Sequence, residues 1–92
     1  MRIEWTHAAV SDREDIYDYI EAENPRAAVA LDERFRSAAA RICRFPRIGR
    51  LGRVQETREF VVHRNYVLVY ELGENVARIL RVLHASRRWP PE

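Results

Sequence analysis

Residues 58–90 read REFVVHRNYVLVYELGENVARILRVLHASRRWP, and the fold is decided in this stretch. Residues 60–62, 66–70 and 79–83 are dense in β-branched and aromatic side chains, which suit a pleated, half-buried surface. Arg64-Asn65 and Gly73-Glu74-Asn75 stand between them, and Asn and Gly tolerate the positive φ that hairpin turns demand. The economical reading is two hairpins in series, a three-stranded antiparallel meander. Beyond it runs a tail with Arg87, Arg88 and Trp89.

Working back from the meander, residues 47–53 place three arginines around two glycines and predict a basic surface loop. A phosphate-binding P-loop is excluded, because no Gly-Lys-Ser/Thr ending and no helix follow. Phe45-Pro46 ends a helix that starts at Asn24-Pro25, where Asn is a preferred cap and Pro at the first position lacks an N–H that would be unpaired anyway. Ala28, Leu31, Phe35, Ala38 and Ile42 give that helix one apolar stripe. An earlier helix, opened by Thr6, is marked by Ala9, Ile16 and Ile20. Arg13 interrupts its stripe and has to snorkel or meet a carboxylate.

The few residues between the helices predict an antiparallel αα-hairpin. Arg2-Ile3-Glu4-Trp5 alternates at the period of a short strand. The expected fold is α+β: an N-terminal strand, an antiparallel αα-hairpin, then the meander, with both helices packed on one face of a single sheet. The opposite face has no evident cover within the chain. That face, flanked by arginines, is where a partner is expected.

At 92 residues the chain is read as one domain, 1–92, able to bury a core without metal or disulfide. Cys43 has no partner cysteine and no ligand spacing around it, so neither an internal disulfide nor a metal site is expected. No cofactor is expected either. A lone cysteine points to a reducing compartment, and the cytoplasm is the default. No apolar run reaches the ~20 residues of a membrane span, and Met1-Arg2-Ile3-Glu4-Trp5 does not resemble a signal peptide. Residues 1–46 hold seven arginines against nine acids, residues 47–92 nine against five, so the sheet half is the basic one. All 16 basic residues are Arg, whose planar fork suits carboxylates and phosphates.

Three polar residues of the sheet half stand out. Arg81 sits mid-strand between apolar neighbours, and is either paired with a carboxylate or turned to the open side of the sheet. His84 ends the last strand, as a backbone-bonded histidine or as a general acid or base. Arg58 opens the meander.

Read in order, Asp15-Ile16-Tyr17-Asp18-Tyr19-Ile20, Asn24-Pro25-x-Ala27-Ala28, Phe45-Pro46-x-x-Gly49-Arg50, Thr57-Arg58-Glu59, Tyr66-x-x-Val69-Tyr70, Ile79-Leu80-Arg81-Val82-Leu83-His84 and Arg88-Trp89 resemble the RelE/ParE toxin superfamily, and within it the ParE branch. The resemblance covers nearly the whole chain. It implies a small bacterial toxin of a type II toxin-antitoxin system. RelE-like members are ribosome-dependent mRNA endoribonucleases, whereas ParE-like members act on DNA gyrase. The nuclease branch typically has Arg where Val67 sits, and often lysines in the preceding strand, where this chain has Arg58, Phe60 and Val62. Cleaving RNA through its own 2′-hydroxyl needs a proton acceptor, a donor for the leaving oxygen and a cation beside the phosphorane. For the nuclease activity that the superfamily implies, Arg58, Arg81 and His84, with Glu56 or Glu59 as a conceivable base, are the candidates.

The resemblance therefore implies a gyrase inhibitor without chemistry of its own. Its partner would be a ParD-like antitoxin whose acidic wrapping segment orders on binding, and operator DNA would be bound only through the antitoxin complex. The alternatives are a RelE-like mRNA endoribonuclease and a non-toxic partner-binding module. Target contacts are expected at Arg58, Arg81, His84, Arg87, Arg88 and Trp89. Antitoxin contacts are expected at Tyr17, Ile20, Leu31 and Phe35 on the helices, and at Arg58, Arg81 and His84 on the sheet.

Overall fold

Each helix begins where the sequence supplies a side-chain acceptor. Thr6 Oγ1 accepts the Ala9 N–H at 3.1 Å and opens α1, His7–Glu21; Asn24 Oδ1 accepts the Ala27 N–H at 3.1 Å and opens α2, Pro25–Arg44. The computed structural model describes residues 1–86. Around the hairpin lie the strands β1 (Arg2–Trp5), β2 (Arg50–Leu51), β3 (Thr57–His63), β4 (Tyr66–Gly73) and β5 (Val76–His84). They form one sheet in the order β1-β5-β4-β3-β2, in which β1 runs parallel to β5 and every other pair is antiparallel. The two helices pack on this single sheet, as the alternation of patterns predicts.

The meander forms at the expected place. Of the two residue types that tolerate positive φ in the second turn, Asn75 takes the left-handed conformation, at φ 57°, and Gly73 does not. Two features were not expected. Part of the basic loop, Arg50 and Leu51, pairs with Glu59 and Arg58 as the edge strand β2. In β5, Tyr70 faces Ile79 and Val69 faces Arg81, which leaves Leu80 as the extra residue of a bulge. The bulge lets Ile79 and Val82, three positions apart, both enter the core, where strict alternation would turn one of them away.

The core joins Phe35, Ala38 and Ile42 of α2 to Leu68 and Tyr70 of β4 and to Ala77, Ile79 and Val82 of β5. Each large side chain fully withdrawn here contributes roughly 1.5–3 kcal/mol. Helix α1 is held differently, since Ala9 is its one buried residue, with Ile16 and Ile20 packed alongside. Arg13 does meet a carboxylate. Its guanidinium makes a two-armed pair with Asp32 of α2 at 3.0 and 2.8 Å and lies 4.5 Å over the Trp5 ring.

The face turned away from the helices corrects an expectation. Val67 and Val69 alternate with the core-facing Tyr66, Leu68 and Tyr70, so they point to that far side, yet they are only 9% and 1% exposed. The centre of the far face is therefore not an uncovered surface. At one end it carries an ionic ladder across three strands, in which Arg78 bonds Glu4 at 3.1 Å and Glu71 at 2.7 Å, and Arg2 bonds Glu4. Side chains that recognise each other across strands leave little free charge there for a partner.

Candidate functional site

The parallel strand β1 accompanies β5 only from Val76 to Ile79, so the outer edge of β5 beyond that point needs other partners. Helix α1 supplies them. The Thr6 N–H donates to the Ile79 carbonyl at 3.0 Å, the Thr6 hydroxyl donates to the Leu80 carbonyl at 2.8 Å, and the Val82 N–H donates to Asp12 at 2.9 Å. The same carboxylate receives both arms of Arg81, Nε at 2.8 Å and Nη2 at 2.9 Å. Arg81 is thus paired with a carboxylate, one of the two roles open to it from sequence. Asp12's hydrogen bonds hold its pKa above the ordinary arginine value, against a smaller opposing effect of burial.

His84 stands exposed at the end of β5. Its Nδ1 accepts the Ser86 N–H at 3.1 Å and lies 2.7 Å from the Ser86 hydroxyl, while its ring meets Tyr66 edge-on with centroids 5.4 Å apart. Tyr66, which sequence reasoning did not single out, also meets Phe35 edge-on at 5.8 Å and His63 at 6.4 Å. The available signal was its position as the first residue after the hairpin turn, in phase with the core-facing Leu68 and Tyr70. Arg81, His84 and Tyr66 line one cleft together with Asp12 and Asn65.

Arg58 does not join them. It faces Tyr70 across the β3–β4 pair, four positions along β4 from the Tyr66–His84 pair, or about 13 Å at the strand rise. Its Nη1 donates to the carbonyls of Gly49 at 2.8 Å and Arg47 at 3.3 Å. The Tyr70 hydroxyl braces the same loop, donating to the Pro46 carbonyl at 2.7 Å and accepting the Gly49 N–H at 2.9 Å. Burial pushes the Tyr70 pKa up, with the Gly49 bond and the Arg58 charge opposing. Of the two conceivable bases, Glu59 is bonded to Arg50 at 3.2 Å, and Glu56 occupies a left-handed turn position at φ 67°.

On the helices, Tyr17 lies in a groove with Val10, Glu14, Asp18 and Asp32. Burial raises its pKa, and the Glu21 carboxylate adds to the shift. Ile20 and Leu31 line a second groove, beside Arg34, His63 and Tyr66. Phe35, 1% exposed, serves the core and offers a partner no surface. Arg87, Arg88 and Trp89 lie outside the described residues. Among the described residues, no group of three or more His, Cys, Asp or Glu is gathered that could hold a metal ion, and no helix is long and apolar enough to cross a membrane.

The arrangement is recognisable in known proteins. A solved structure titled "Chromosomal ParDE TA system from P. aeruginosa" superposes with a TM-score of 0.81 at 20% identity, covering 91% of this chain and 95% of that one, and shares the fold. The chain is 37% identical over 90 residues to "Putative toxin Y4kP" of Sinorhizobium fredii, covering 97% of this chain and 93% of the relative. It is 35% identical over 86 residues to "Toxin RelE2" of Caulobacter vibrioides, covering 94% and 97%. The family model described as ParE toxin of type II toxin-antitoxin system, parDE, matches residues 3–89. With its ordered motifs, its two helices on a five-stranded sheet and this match, the chain belongs to the ParE toxin family of type II toxin-antitoxin systems.

Proposed function

We propose that the chain arrests growth by engaging DNA gyrase in the cytoplasm, with no bond-breaking chemistry of its own, and that a ParD-like antitoxin neutralises it. The observation that carries this reading is Val67. At the β4 position where the nuclease branch typically has an arginine, this chain has a hydrocarbon side chain that is 9% exposed. The two strand arginines considered for that role do not replace it: Arg81 is committed to Asp12, and Arg58 braces a loop on the helix side of the sheet. Neither of these two guanidinium groups is left free to stabilise a phosphorane beside His84. Binding of operator DNA is assigned to the antitoxin partner.

Purified toxin incubated with gyrase and relaxed plasmid is expected to block supercoiling and to accumulate cleaved DNA. Supercoiling that proceeds undisturbed at micromolar excess, from a chain that still arrests growth, would overturn the target. The second reading is mRNA cleavage in the ribosome, favoured by the name of the Caulobacter relative and by the cleft shared by His84, Tyr66 and Arg81. Under that reading, ribosome-dependent cleavage appears with the wild-type chain and disappears in His84→Ala. Growth unaffected by the unpartnered chain would leave the binding-module reading.

A further inference from the structure

From residue 41 to residue 55 the chain carries five arginines, at positions 41, 44, 47, 50 and 53, and no aspartate or glutamate. Elsewhere the fold neutralises guanidinium groups on carboxylates: Arg13 on Asp32, Arg78 on Glu4 and Glu71, Arg81 on Asp12. Within this run Arg50 does the same, on Glu59. Arg41 instead lies 5.7 Å over the Phe60 ring and Arg44 5.5 Å over the Phe45 ring, contacts that position a cation without cancelling its charge. Arg41, Arg44 and Arg47 are all exposed, and among the described residues they have no carboxylate partner. Cations in the last turn of a helix suit its unpaired carbonyls, which accounts for Arg41 and Arg44. It does not account for Arg47, which lies beyond the helix, or for the missing acids.

These arginines stand on a fixed base. The Ile48 N–H donates to the Phe45 carbonyl at 2.9 Å and closes a turn, while the Tyr70 hydroxyl holds the Pro46 carbonyl and the Gly49 N–H on either side of Arg47. Arg58, bonded to the carbonyls of Arg47 and Gly49, adds a further positive charge behind them. Phe45 is 53% exposed, so part of its ring faces solvent among the arginines. We infer that this patch takes a single strand of nucleic acid, whatever its sequence, with phosphates on Arg41, Arg44 and Arg47 and a base against the Phe45 ring. The inference is independent of whether gyrase or the ribosome is the target. An open ring among phosphate-binding cations favours a strand with unpaired bases, because a duplex keeps its base faces inside the stack.

The test follows the fluorescence anisotropy of labelled oligo-dT and oligo-rU titrated with the full chain over a range of salt concentrations. With three phosphate contacts, the logarithm of the binding constant is expected to fall against the logarithm of salt with a slope of about −2. Arg44→Gln and Arg47→Gln should each reduce the size of that slope by about 0.7, a graded change that loss of the fold would not produce. Phe45→Ala is expected to weaken binding about tenfold and leave the slope unchanged. Arg26→Gln, about 27 Å from Arg44 along α2 at the helical rise, is the control and should bind as the wild type does. The tighter bound of the two oligonucleotides names the chemistry of the natural strand. No binding by the wild type at about 50 mM salt, or an unchanged slope in both glutamine variants, would overturn the inference. Equal binding of a duplex would remove the role of Phe45 and overturn the single strand. Displacement of the oligonucleotide by poly-glutamate of matched charge would overturn it in favour of an acidic protein segment.

Discussion

Asp12 and Arg81 stand 69 residues apart and close one corner of the molecule with a two-armed ion pair at 2.8 and 2.9 Å. The same carboxylate also receives the Val82 N–H, which has no strand to pair with on that side. One aspartate of α1 thus does for β5 what a neighbouring strand would do. It also commits the Arg81 guanidinium within the fold.

Removing the two partners should therefore have unequal consequences. Asp12→Ala leaves a guanidinium and a backbone N–H without acceptors, and is expected to cost about 2–3 kcal/mol, after allowance for Arg81's one-third exposure to solvent. Arg81→Met removes only the ion pair and keeps the hydrocarbon stem, so a loss of about 1 kcal/mol is expected. Urea unfolding of the two variants measures the difference, and equal losses would mean that the Val82 bond contributes nothing.

Gly49 is a position where a side chain has no room. A Cβ there would lie 2.8 Å from the Tyr70 ring and hydroxyl and 2.9 Å from the Glu59 carbonyl oxygen, and the buried ring and the backbone cannot give way cheaply. Gly49→Ala is expected to destabilise by about 1–3 kcal/mol, the range for forced overpacking. Thermal unfolding reads this as a lowered Tm. Serine at position 49 should do no better, since it carries the same Cβ.

Tyr70 also sets an alkaline limit. Because burial raises its pKa in the folded state, the unfolded chain releases its proton first as pH rises. The contribution is fully present below the ordinary tyrosine value of 10.0 and is lost as pH climbs from there through the raised folded value. Unfolding midpoints followed across that window should fall more steeply for wild type than for Tyr70→Phe. The phenylalanine variant should itself begin about 1 kcal/mol less stable at neutral pH, having left the Gly49 N–H and the Pro46 carbonyl unpaired. Parallel curves would show that Tyr70 ionises without regard to folding.

Arg13 offers a test of geometry against charge. Lysine at this position keeps the charge but loses the two-armed contact with Asp32 and the planar stack over Trp5. Arg13→Lys is expected to cost about 1 kcal/mol in denaturant unfolding. A variant as stable as the wild type would mean that Arg13 contributes through its charge and not through the planar two-armed contact.

Several elements were legible from residue order because their causes are local. Asn24-Pro25 fixes the start of α2 through groups within one turn, and the stripe from Ala28 to Ile42 announces which face is buried. The meander follows from β-branched runs separated by turn residues, with positive φ taken at Asn75 of the second turn. The partner of Arg13 could be described only as some carboxylate, since any acid brought near by the hairpin would satisfy the requirement.

Residue order was enough to set the N-terminal strand, the two helices, the meander and the family, because hydrophobic period, caps and turn chemistry act over a few residues; the edge strand β2 was not among them. Tertiary structure alone decided that Arg81 would bond Asp12, that Tyr70 and Arg58 would brace the loop at Gly49, and that Val69 would be buried on the face expected to be open. The bulge at Leu80 and the parallel placement of β1 beside β5 bring those partners together. Such contacts depend on strand register and on which edge a helix crosses. Those are properties of distant segments meeting, and no local run of residues encodes them.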